Sequence, residues 1–270
     1  MHARTTRTVQ AGAVALSVTE SGQGPPLLLV HGFPLSHQMW AGQLTSLAAH
    51  ARVIAPDLRG CGTSQVTPGV VTMEQMADDL AALLDALDVT EPIVYCGLSM
   101  GGYVGFQFWR KYAARLRALV LCDTRAVADT PDEVATRKKV AEDVLRDGMQ
   151  VGPALEMLPR AFAPHSLQNR PSVVQGVLRT ILASQPAGVA AASLGMSQRP
   201  DVRDYLPRIA VPTLVIVGEH DAISPADEMR SMAQAIPGAE FVLIPGAGHM
   251  TPVESPAEFN LALERFLARV

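Results

Sequence analysis

A serine, a histidine and an aspartate, far apart in the chain, are the residues with which this sequence could do chemistry. Residues 97–102 read Gly97-Leu98-Ser99-Met100-Gly101-Gly102. The apolar run Pro92–Cys96 before them reads as a short buried strand, and Tyr103–Lys111 after them as a helix. In a strand–turn–helix setting, a G-x-S-x-G string strains the backbone at the serine and pushes its hydroxyl out alone above a sheet. Glycines two places to either side remove the side chains that would clash there. The hydroxyl then lies beside a helix N-terminus, with its unpaired N–H groups and partial positive charge. That is a setting for a catalytic nucleophile. Outside it, the string is only a glycine-rich turn with an incidental serine.

A serine hydroxyl is a poor nucleophile until a base takes its proton. Among the seven histidines, His249 follows the last expected strand, in Pro245-Gly246-Ala247-Gly248-His249-Met250. Glycines let such a loop carry an imidazole over the sheet. His31 precedes Gly32 and reads as a holder of its own loop, and His220 as a loop residue. The base in turn needs a carboxylate to fix its tautomer. Asp221, in Gly218-Glu219-His220-Asp221, follows a strand and gives the chain order Ser, Asp, His. Asp123 and Glu219 compete for that role. The plainer reading of Asp123 is a helix or turn cap. A developing oxyanion needs two donors. The N–H of Met100 is one candidate and that of Phe33 the other, since Pro34 has no N–H to give. The side chains of Phe33 and Met100 are expected to line the pocket floor, with Met250 as a third substrate contact.

These groups need a sheet to bring them together, and the chain supplies its rhythm. Residues 5–19 read as one or two opening strands, and Pro26–Val30 as a strand covered on both faces. Trp40–Ala48 reads as a helix and Arg52–Ala55 as a strand. Thr72–Leu87 has a helical apolar period, with Thr72 and Gln75 spaced as a capping box. Leu116–Cys122 is again a strand. From Asp123 to about Arg199 no buried strand is visible. Helices at Glu133–Leu145 and Val173–Leu182 stand out, and six prolines cut the rest into short pieces. This is a helical insertion in an alternating domain. The rhythm resumes with strands at Thr213–Gly218 and Glu240–Ile244 and helices at Asp227–Ala235 and Pro256–Ala268. Alternating strands and helices imply a mostly parallel sheet, with its chemistry at the carboxyl ends of the strands.

Composition excludes other classes. Of 270 residues, 48% are apolar and 18% charged, so the chain can bury a core. A net charge of −4 and no basic run argue against nucleic acid or an anionic membrane surface as partner. No stretch reaches the ~18 apolar residues that span a bilayer. Arg4, Arg7 and the patch Ala11–Val18 faintly imitate a signal peptide, but the patch alternates like a strand. Cys61, Cys96 and Cys122 suit neither a zinc site nor a disulfide framework. A reduced, cytoplasmic setting fits.

Taken together, these motifs resemble the serine α/β-hydrolases. The likeness runs through His31-Gly32-Phe33-Pro34, Asp57–Ser64, Gly97–Gly102, Gly218–Asp221 and Gly246–His249. It implies an α/β fold with a mostly parallel eight-stranded sheet flanked by helices and a helical cap after the sixth strand. The core is then residues 1–124 and 200–270, and the cap 125–199. The look-alikes are carboxylesterases, enol-lactone hydrolases and cofactor-free haloperoxidase-like members. The implied activity is cleavage of small or medium carboxylic esters through an acyl-enzyme, with no metal or organic cofactor. Cys61 departs from the histidine often found in that turn, at a position expected to matter little for catalysis. Serine rather than aspartate at 99 disfavours dehalogenase or epoxide hydrolase activity. The same triad would also serve a lactone or the C–C bond of a diketone. The scaffold also occurs as a ligand receptor, and Pro34 resembles perhydrolysing members. Met149, Met157, Leu158, Phe162, Leu178 and Leu182 are candidates for lining the cap side of the pocket, or else cap core. The expected partner is a small ester or lactone, and the expected assembly a monomer or homodimer.

Overall fold

Eight strands form one sheet: β1 (Thr5–Ala11), β2 (Val14–Ser21), β3 (Pro26–Val30), β4 (Arg52–Pro56), β5 (Ile93–Leu98), β6 (Leu116–Cys122), β7 (Thr213–Gly218) and β8 (Glu240–Ile244). Their order is β1-β2-β4-β3-β5-β6-β7-β8. β2 pairs antiparallel with β1 and β4, and every other pairing is parallel. The computed structural model describes residues 4–149 and 153–270. Residues 1–3 and 150–152 of the expected core and cap lie outside the described residues.

β3 shows why the sheet is covered on both sides. Its side chains alternate between the faces, and all five residues are buried. Leu27 and Leu29 join one core layer, Leu28 and Val30 the other. Each such leucine contributes about 1.5–3 kcal/mol on burial. β1, rich in Thr, Arg and Gln, is largely exposed and closes the sheet as a polar edge.

Helices follow the strands. α1 (Ala41–Ser46) packs on one face. α2 (Met73–Ala86) and α3 (Met100–Tyr112) pack on the other, through Met76, Leu80, Val104 and Phe108. Thr72 caps α2 by accepting the Gln75 N–H at 3.2 Å. The full reciprocal box forms elsewhere, between Thr130 and Glu133 at the start of the next helix.

Between β6 and β7 the described residues form α4 (Pro131–Asp147), α5 (Pro153–Ala161), α6 (Pro164–Asn169), α7 (Pro171–Leu182) and α8 (Pro186–Met196). Sequence periodicity picked out only α4 and α7. The prolines that looked like breaks open the first turns of α6, α7 and α8, where the missing N–H costs nothing. After β7 come α9 (Ala226–Ala235), the short α10 (Thr251–Glu254) and α11 (Pro256–Leu267). Among the described residues no helix is long and apolar enough to cross a membrane. All three cysteines are buried and free. Burial lifts the Cys61 thiol to about 12, so it is inert at neutral pH.

α8 docks on the core backbone to backbone. A Cβ on Gly188 would lie 1.8 Å from the Gly60 carbonyl oxygen, and one on Gly195 would lie 1.7 Å from that of Val71. Neither neighbour is a side chain that can turn aside. Gly188→Ala is therefore expected to cost roughly 1–3 kcal/mol. At roughly 2–4 °C per kcal/mol for a chain of this size, thermal unfolding would report it. An unchanged melting temperature would mean that α8 shifts freely on the core.

Candidate active site

Ser99 occupies a sharp turn between β5 and α3, with φ 54° and ψ −114°. It is one of three non-glycine residues with positive φ among the described residues, the others being Asp88 and Asp123. The turn fits only because its flanking positions lack side chains. A Cβ on Gly97 would meet the Gly101 carbonyl oxygen at 2.3 Å, and one on Gly101 would meet that of Val30 at 2.3 Å. Neighbouring strands hold the strained residue in place. The Ser99 N–H donates to the Cys122 carbonyl at 2.9 Å, and the Thr124 hydroxyl to the Ser99 carbonyl at 2.7 Å.

His249 lies in the loop between β8 and α10 and is buried. Its Nδ1 is 2.8 Å from Asp221 Oδ2. Asp221 is fixed in turn, since its Oδ1 accepts the Ile223 and Ser224 N–H groups, each at 2.8 Å. Those bonds fix the orientation of the carboxylate and leave Oδ2 for the ring. Ser99 and His249 line one small cavity of about 50 Å³, and the structure forms no hydrogen bond between them. A nucleophile–base hydrogen bond of this kind tightens in the complex with substrate.

Among the described residues, neither rival acid bonds the His249 ring. Glu219 accepts the Gly246 N–H at 2.9 Å and is half exposed. Asp123 caps no helix, which corrects the plainer expectation for it. It is fully buried at the end of β6. Its Oδ1 accepts the Gly218 N–H at 3.0 Å and its Oδ2 the Thr251 hydroxyl at 2.5 Å. Those partners stand three residues before Asp221 and two after His249, so one carboxyl ties the two loops to β6. Burial, and then the nearby Asp221 charge, push the Asp123 carboxyl well above the usual range.

Phe33 follows Gly32, where an added Cβ would lie 3.3 Å from Ser99 Cβ, and Met100 follows Ser99 directly. Among the turn, loop and cap hydrogen bonds of the described residues, neither residue's N–H is used as a donor. The Phe33 side chain lines the cavity, and so does Met250. The Met100 side chain does not, contrary to expectation. It is fully buried in the core layer beneath α2 and α3, because the first residue of α3 turns its side chain inward. On the opposite wall, Met157 and Leu158 line the cavity as expected. Met149 and Phe162 are instead buried in core, Leu178 packs against it, and Leu182 is exposed. Val177 and Ile181, one residue earlier in the helical turn, take the wall positions.

His31 is buried and neutral. The Leu58 N–H donates to its Nε2 at 3.0 Å, so the proton sits on Nδ1 and goes to the Gly32 carbonyl at 2.8 Å. Burial lowers its pKa accordingly. The ring pins the Gly32–Pro34 loop to the segment after β4.

Glu254 was not legible as part of the site. It is buried, and its Oε1 accepts the Gly248 and Met250 N–H groups on either side of His249, at 2.9 and 3.3 Å. Its Oε2 accepts the Ala163 N–H at 2.9 Å, from the corner between α5 and α6. A carboxylate five residues after a loop histidine is the only sequence signal, and glutamate in a helix is ordinarily a surface residue.

Among the described residues, no group of three His, Cys, Asp or Glu side chains could hold a metal ion.

Comparison with known proteins identifies the relatives of this fold. The family model for the alpha/beta hydrolase fold matches residues 25–256. A thermophilic esterase from Thermogutta terrifontis, solved with malate bound, is 49% identical, with a TM-score of 0.94 over 99% of this chain and 98% of that one. The enol-lactonase from Burkholderia xenovorans LB400 is 30% identical, with a TM-score of 0.90 over 97% of this chain and 100% of that one. The 3-oxoadipate enol-lactonase 2 of Acinetobacter baylyi is 27% identical over 265 residues, covering 97% of this chain and 96% of that protein. A strained serine above a parallel sheet, a histidine with its carboxylate, and a family match over most of the chain converge: the protein belongs to the alpha/beta hydrolase family.

Proposed function

We propose that this protein is a serine hydrolase of small or medium carboxylic esters. The observation that carries the reading is that Ser99, in its strained turn, shares a cavity with His249, whose Nδ1 is bonded to Asp221 at 2.8 Å. In this reading Ser99 Oγ attacks the ester carbonyl while His249 Nε2 takes its proton. The Phe33 and Met100 N–H groups receive the oxyanion. His249 then protonates the departing alcohol, leaving an acyl group on Ser99. A water activated by the same imidazole releases the acid. Asp221 holds the ring in the Nδ1–H tautomer and stabilises the imidazolium.

The relatives named as esterases and enol-lactonases support ester-bond chemistry and leave ester and lactone both within its scope. Residues 125–199 act as a cap over Ser99 in this reading, with Met157 and Leu158 on the cavity wall. Three free thiols suit a reducing, cytoplasmic setting.

The test is pre-steady-state hydrolysis of p-nitrophenyl acetate. A burst of one p-nitrophenol per chain is expected, and mass spectrometry of the quenched enzyme should find the acetyl group on the peptide containing Ser99. Turnover with neither the burst nor the adduct would discard the acyl-enzyme.

A further inference from the structure

The wall of the Ser99 cavity is apolar apart from the reacting groups, the tyrosine Tyr103 and one permanent charge, Arg137 of α4. Among the described residues no carboxylate lines it. Arg137 also lines a larger cavity of about 370 Å³ that shares Phe33, Tyr103, Met157 and Ile223 with the first, and among the described residues its other charged lining groups are Arg125, Arg160 and one acid, Glu133.

The local charges do not cancel. Arg125 is neutralised by Glu133 at 2.7 Å and Glu228 at 3.0 Å. Arg137 is not matched in the same way. Its Nε lies 3.3 Å from Asp129 Oδ2, while the buried Arg199 holds Asp129 Oδ1 at 2.5 Å. Arg199 is anchored further by the Val127 carbonyl at 3.1 Å and by stacking over the Tyr103 ring at 4.2 Å. One carboxylate thus serves two guanidiniums, and the better-held one is buried away from the cavity. The surplus positive charge falls on Arg137, whose side chain is a quarter exposed. Among the described residues only its Nε is engaged, which leaves the paired Nη groups of this cavity-lining residue without a protein partner as a donor fork. A planar fork of this kind suits a carboxylate. A cavity lined with one sign of charge also draws in the opposite ion.

We infer that Arg137 selects esters or lactones whose acyl part carries a second, free carboxylate, so that the product is a dicarboxylic acid. This rests on the esterase reading of Ser99. The Arg137 fork would hold the distal carboxylate while apolar walls take the chain between it and the scissile carbonyl. Hydrolysis adds one water across the ester bond, giving the alcohol and the diacid from an open-chain ester or a single hydroxy or keto diacid from a lactone, with the distal carboxylate unchanged.

The matched substrates are methyl hydrogen glutarate and methyl pentanoate, equal in acyl length and differing in the terminal carboxylate. The wild type is expected to favour the glutarate ester in kcat/KM by at least about 10-fold. Arg137→Gln should raise KM for that ester by about 10- to 100-fold, the range of a lost charge-assisted hydrogen bond, with methyl pentanoate unchanged within about 2-fold. Arg137→Lys should recover part of the loss. A structural role alone would move both substrates together. Binding separates this inference from the catalytic reading: glutarate should bind the Ser99→Ala protein by calorimetry, and Arg137→Gln should abolish that binding. Equal use of both esters, or glutarate binding indifferent to Arg137, would overturn the inference while leaving the esterase intact. Loss of all ester turnover with glutarate binding retained would overturn the catalytic reading alone.

Discussion

Ser99→Ala is expected to lower kcat on p-nitrophenyl acetate by about 10⁴- to 10⁶-fold, with KM changed little. The hydroxyl is the only group in the cavity that the proposed mechanism uses to form a covalent bond. What would remain is the slow attack of water, helped by the two N–H groups and by orientation. The protein should stay folded, because alanine keeps the turn. The Ser99 N–H bond to Cys122 and the Thr124 bond to the Ser99 carbonyl both involve backbone atoms. A melting temperature near that of the wild type, with activity gone, is the expected pair of results. An alanine variant retaining a tenth of wild-type kcat would remove Ser99 from the chemistry.

The second large effect separates two aspartates. Asp221→Asn should cost on the order of 10⁴-fold in kcat. The amide would present a donor to Nδ1 and turn the imidazole into the wrong tautomer. Asp123→Asn should cost less than about 10-fold. Its buried carboxyl is pushed toward the neutral form, and an amide reproduces that form. The amide oxygen still accepts the Gly218 N–H, and the amide nitrogen faces Asp221 as a donor. The Thr251 hydroxyl has only to rotate from donating to accepting. Stability supplies an independent sign. A carboxyl whose pKa is raised on folding contributes its stability below the unfolded value near 3.8, and that contribution is lost as pH rises toward the folded pKa. Asn titrates nowhere in this range. The melting temperature of Asp123→Asn should therefore gain on the wild type as pH climbs from about 4 to 8. Reversed kinetic losses, with Asp123→Asn the more damaging, would move the catalytic carboxylate from β7 to β6.

The parts of this fold that sequence exposed are those where periodicity and burial coincide. β3 and β7 begin and end where apolar runs do, because a strand covered on both faces has no room for polar residues. The turn around Ser99 was legible because steric demands write themselves as glycine. The helices α5, α6 and α8 were not. α8 is almost wholly buried, so Gly188–Met196 shows small and apolar residues all round rather than one stripe. The cap-side wall was misassigned by about one residue in α7, since Ile181 and Leu182 differ in type by nothing that tells inside from outside. Met100 was misread for a related reason. Its backbone and its side chain face opposite ways, and sequence does not separate them. Asp123 and Glu254 were hidden because acids are ordinarily surface residues, and their value lies in partners from distant loops.

Glu254 couples matters that catalysis usually keeps apart. One of its oxygens grips the peptide on both sides of His249, and the other grips Ala163, where α5 gives way to α6. Under the proposed mechanism, a bulky guest that forces this corner outward would tug on the anchor of His249. Poor fit would thereby be felt as poor reactivity as well as weak binding, and discrimination against oversized molecules would register in turnover number and not merely in affinity.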